Sequence, residues 1–118
     1  MGGVRRGSPR PLPGTPLSLF RRDRFAELVR RQLELFTTDE AELLAESDAT
    51  ERAYDAAQRE DAEEAYGDYG LVLDTLAERL AELRDTYAGT LDEDAALQYE
   101  ASFDRAAGRR FPRLRNRL

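Results

Sequence analysis

From Ala62 to Tyr87 the apolar positions fall at Ala62, Tyr66, Tyr69, Leu73, Leu76, Leu80, Leu83 and Tyr87, in alternating steps of four and three. That spacing is the signature of one apolar seam on a helix packed along another helix. Asp74, Glu78, Glu82 and Asp85 fall between the seam positions, where a solvated face requires charge. Upstream, Phe25, Leu28, Val29, Gln32, Leu33 and Phe36 form a second stripe, which predicts a helix from about Ser18 to Phe36. Pro16 precedes it, and Ser18 or Thr15 is placed to cap its first N–H groups. Thr37 with Glu40 has capping-box spacing and predicts a new helix start. Helix-favouring residues then continue through Leu43, Leu44, Ala53, Tyr54 and Ala57, and across the polar run Gln58 to Glu64.

Gly67 and Gly70 interrupt this run, each at a cost of about 1 kcal/mol inside a helix. Tyr66 and Tyr69 keep the phase of the leucines downstream, which a turn has no reason to preserve. The expectation is one long central helix over about residues 39–88, bent at the glycines. A break at Gly67–Gly70 would instead give a four-helix, up-down-up-down bundle. Gly89 stops the helix, and Thr90 with Glu93 repeats the capping-box spacing. A last helix over about residues 91–108 carries Ala96, Tyr99, Phe103 and Ala106 or Ala107 as its stripe. The fold class that follows is all-α: a helical hairpin or bundle with a long central helix flanked by two shorter, antiparallel ones. An unbroken central helix is about 75 Å long at 1.5 Å per residue, too long for two short helices to cover. A second protomer, in the simplest case forming a dimer, would complete the bundle.

Composition narrows the chemistry more than it changes the fold. The 118 residues suffice for a single domain over residues 18–108. Leu, Ala, Arg and Glu supply 65 of them, whereas there are three Val and no Ile, which disfavours strands. Cys, His, Trp and Lys are all absent. Thiolate, imidazole and Schiff-base chemistry are therefore excluded, along with disulfides and the commonest metal ligands. Glu60, Asp61, Glu63 and Glu64 spread around a helix rather than converging, so neither a metal nor a cofactor site is expected. No phosphate loop, nucleophile elbow or metalloprotease motif is present. The lack of Lys and Ile and the all-Arg basic set point to a GC-rich, bacterial genome.

Residues 1–17 hold four of the five prolines and read as a disordered Pro/Gly/Arg-rich segment. Arg5 and Arg6 lead into Gly, Ser and Pro rather than an apolar run, so neither a signal peptide nor a membrane span is expected, and the chain reads as cytoplasmic.

The net charge of −6 conceals three blocks: +5 over residues 1–36, −17 over 37–104 and +6 over 105–118. Residues 109–118 read as a mobile basic tail. Within it Arg109, Arg110, Phe111, Arg113, Arg115 and Arg117 are the candidate partner-binding residues, because arginines interleaved with apolar anchors suit phosphate or acidic surfaces. The blander use of these arginines is to pair with the acidic centre of the chain. The tyrosine stripe is core by default; its functional alternative is a Tyr-lined groove for a partner helix, opened by Gly67 and Gly70. The resulting expectation is a non-enzymatic helical interaction or adaptor protein that self-associates through the Leu/Tyr seam. The alternative is a nucleic-acid-associated accessory protein acting through the basic tail.

Overall fold

The computed structural model describes residues 24–118. Their regular structure is entirely helical: α1 (Ala26–Asp39), α2 (Ala41–Ala56), a 3-10 turn (Arg59–Asp61), α3 (Ala62–Ala88), α4 (Glu93–Arg110) and a closing 3-10 segment (Pro112–Arg117). The disordered reading of residues 1–17 and the helix start at Ser18 lie outside the described residues.

Helix orientation can be read from paired residues. Glu40 pairs with Arg79, Glu51 with Tyr69 and Tyr54 with Tyr66, so numbers rise on α2 as they fall on α3. The two helices form an antiparallel hairpin. Tyr87 against Tyr99 and Arg84 against Asp104 make α4 antiparallel to α3 in turn. Gln32 with Tyr99 and Phe36 with Phe111 make α4 parallel to α1. One end of the molecule is thus a three-helix bundle of α1, the C-terminal half of α3, and α4. The other end is the two-helix hairpin alone.

The core sits in the three-helix end. Val29, Leu33 and Phe36 from α1, Val72, Leu73, Leu76 and Leu80 from α3, and Tyr99, Phe103 and Ala107 from α4 are buried together. Each large apolar side chain fully withdrawn from water contributes about 2 kcal/mol. The stripes expected on the first and last helices are the ones buried. Phe25, Leu28 and Ala96 pack against the same cluster from half-buried positions.

The long central helix is corrected at two places. At Glu40 helical bonding persists, from the Glu40 N–H to the Phe36 carbonyl and from the Leu44 N–H to the Glu40 carbonyl, but φ and ψ of −108° and 28° bend the rod between α1 and α2. The Thr37 hydroxyl donates back to the Leu33 carbonyl instead of capping a new helix. The full reversal occurs at Ala57 and Gln58, both extended, with ψ of 140° and 161°. Gly67 and Gly70 are inside α3, so neither the bend nor the break falls on them. The 57–61 stretch favours helix locally, but it has no apolar residue in phase to bury. Propensity is a weak prior against the gain from folding the Leu73–Leu80 seam back onto α1. Glu60, Asp61, Glu63 and Glu64 gather at the positive end of α3, where negative charge stabilises a helix start.

The seam does not require a second chain, since Leu73, Leu76 and Leu80 are covered within one. At the next junction Gly89 closes α3, and Asp92 rather than Thr90 caps α4, its carboxylate accepting from the Ala95 N–H at 2.9 Å.

The basic tail packs against the helical bundle. Its N-terminal part continues α4 to Arg110, and Pro112–Arg117 folds back over α3 and α4, with Leu114 buried in the core and Phe111 edge-on to Phe36 at 5.8 Å.

Candidate functional site

The arm formed by α2 and the first part of α3 lacks a core. No residue from 48 to 71 is buried, and α2 as a whole buries only Ser47. Tyrosines hold its two strands of helix together. Tyr54 meets Tyr66 at 5.3 Å and stacks on Tyr69 at 6.4 Å, with interplanar angles of 56° and 18°. The Tyr69 hydroxyl points back along the arm to Glu51 at 3.4 Å. Tyr66 remains 55% exposed and Tyr54 37% exposed, large values for aromatic rings clustered with one another. Between residues 52 and 68 stand six acids and two arginines, so these rings are set in a negative field. The glycines do not open a groove here. A Cβ on Gly67 would meet nothing within 4 Å, and one on Gly70 would meet only Arg117 Nη2, at 3.8 Å.

The six tail residues singled out by charge pattern go to different places. Arg113 reaches the base of the arm, donating to Glu51 at 3.0 Å, to the buried Ser47 hydroxyl at 3.1 Å and to Asp48 at 3.2 Å. Burial disfavours its charge, but Tyr69, Glu51 and Asp48 outweigh that and raise its pKa. Arg117 pairs with Asp74 at 2.8 Å, and Arg115 lies over Gly108, donating to its carbonyl at 3.4 Å. Phe111 belongs to the core edge. Among the described residues the Arg110 side chain donates to the Thr37 hydroxyl at 3.3 Å, and the Arg109 side chain makes no hydrogen bond or ion pair. The tail therefore does not present one continuous basic stripe.

A different grouping appears in three dimensions. Arg109 and Arg110 join Arg105 from the same helix and Arg30 from α1 around a groove of about 540 Å³ between the two helices, with Leu33 and Ser102 beneath them. Arg30 is already compensated by Glu27 at 2.6 Å and Glu34 at 3.1 Å. Hydrogen bonds from Arg30 and then Arg31 hold the Glu27 carboxyl down at about 2, well below the usual carboxylate range. Sequence reasoning missed this grouping because Arg30 and Arg109 are far apart along the chain. The only available signal was the register of Arg105 and Arg109, one turn apart on the last helix.

Among the described residues no three His, Cys, Asp or Glu side chains are arranged to hold a metal ion, and no helix is long and apolar enough to cross a membrane. The class these observations define is an all-α helical bundle with a projecting hairpin arm. Comparison with protein-family models, with curated proteins and with solved structures finds no match to the chain.

Proposed function

We propose that this is a non-enzymatic helical interaction protein whose contact end is the projecting tip of the α2–α3 hairpin. The tip receives an arginine-rich segment of a partner protein. The observation that carries the reading is the exposed Tyr54–Tyr66 pair, backed by the half-buried Tyr69, at the end of an arm with no buried residue of its own, set among acids. Exposed tyrosine faces attract guanidinium groups, and each such contact is worth about 0.5–1 kcal/mol at an open site and more once water is expelled. The surrounding carboxylates add steering and bidentate pairing. Self-association through the leucine seam is the less favoured reading, because Leu73, Leu76 and Leu80 are buried within one chain, whereas Tyr66 at the other end of the seam is exposed. The nucleic-acid reading is weakened in the same way, with Arg113 and Arg117 turned onto Glu51, Asp48 and Asp74.

The test is fluorescence anisotropy of a labelled deca-arginine peptide titrated with the full chain and with a Tyr54→Ser/Tyr66→Ser double variant. Binding by the parent chain that weakens at least tenfold in the variant, while the variant keeps the parent's helical circular dichroism at the assay temperature, is the expected result. Equal binding by both chains would reduce the attraction to bulk charge and remove the tip from the account.

A further inference from the structure

The groove between α1 and α4 has features that charge balance within the chain does not explain. Arginines in the last turn of a helix complement its negative end, and that accounts in part for Arg109 and Arg110. It does not account for Ser102. This residue is 5% exposed and lines the groove, yet its hydroxyl has no hydrogen-bond partner among the described residues. Other helical hydroxyls in the protein, such as those of Thr37 on α1 and Thr75 on α3, bond back to the carbonyl one turn earlier. A buried hydroxyl left unpaired is costly and calls for an explanation.

We propose that this groove binds a compact, phosphate-bearing anion, held by Arg109 and Arg110 and accepting a hydrogen bond from the Ser102 hydroxyl. Guanidinium groups offer the forked donors that phosphate oxygens take in pairs. The volume of about 540 Å³ lies within the range of small-molecule sites. A nucleic-acid backbone would need cations continuing along the surface, whereas of the next three arginines in the chain Arg113 and Arg117 are paired with acids on the hairpin, and only Arg115 lies beside Arg109. This site is separate from the tyrosine tip and does not depend on it.

The experiment is calorimetric titration of the full chain with inorganic pyrophosphate at fixed ionic strength, beside thermal melts with and without it. Saturable binding is expected, with Kd raised at least tenfold in Arg109→Gln and severalfold in Ser102→Ala. Arg52→Gln, an equal charge change on the hairpin, should leave Kd within twofold. Ser102→Ala should not melt earlier than the parent without ligand, so its weaker binding cannot be ascribed to lost folding. Absence of saturable binding, or the same Kd in Arg109→Gln and Arg52→Gln, overturns the proposal. So does an undiminished affinity in Ser102→Ala. A 20-base-pair duplex that binds through Arg109 with steep salt dependence, where pyrophosphate does not, overturns it in favour of nucleic acid.

Discussion

At Tyr99 three helices meet in one side chain. Its ring lies 5.6 Å from Phe25, 4.8 Å from Tyr87 and 5.9 Å from Phe103, and its hydroxyl donates to Gln32 Oε1 at 2.7 Å. Burial pushes the phenol up to about 12 from 10, with the nearby Tyr87 adding to the rise. The folded protein thus holds this proton more tightly than the unfolded chain. Its contribution is complete below about pH 10 and is lost as pH rises through about 12. The melting temperature should fall across that window, and in Tyr99→Phe the fall should be shallower. At neutral pH the same variant should cost about 1 kcal/mol by urea denaturation, the net value of one hydrogen bond. A parallel pH dependence in parent and variant would place the alkaline transition elsewhere.

At the scale of the element, α3 shows how a weak local preference yields to packing. Gly67 is helical, exposed and unconfined, so it carries the entropy cost of glycine without using its freedom. Gly67→Ala should raise stability by about 0.5–1 kcal/mol, read as a higher urea midpoint at unchanged slope. A loss of stability would mean that the chain bends there after all. The reversal at Ala57–Gln58 contains neither glycine nor proline. It falls where the polar run leaves nothing to bury, immediately before a concentration of acids suited to a helix start.

For the molecule as a whole, the C-terminal charge block folds back onto the acidic one in part. Arg113 and Arg117 tie the C-terminal block to the acidic hairpin, and Leu114 between them is 2% exposed. The closing segment is therefore part of the core. Leu114→Ala should destabilise the protein by about 2–4 kcal/mol in urea denaturation, the range for a buried leucine that leaves a cavity. A cost below about 0.5 kcal/mol would return the segment to the status of a loose tail. The opposite end of the molecule has no such closure: beyond Ser47 and before Val72 nothing is buried, and the arm depends on tyrosine contacts and on its attachment to the bundle.

What the sequence by itself determined is what depends on neighbours three or four residues apart. The all-helical class, the buried faces of α1 and α4, the phase of the Leu73–Leu80 seam and the helix stop at Gly89 all follow from such spacing. The tyrosine cluster was visible as a stripe, though not that its far end would stand in water. Tertiary structure decided where the long rod folds back, because that choice weighs a small local preference against covering the seam with α1, a contact between residues some 40 positions apart. It also decided the fate of the arginines. Charge along the chain marked six tail residues as one group. Folding sent Arg113 and Arg117 to the hairpin and brought Arg109 and Arg110 beside Arg30 and the unpaired hydroxyl of Ser102. A linear charge pattern carries no information about which helix faces which, and that is why the groove could be found only in the folded chain.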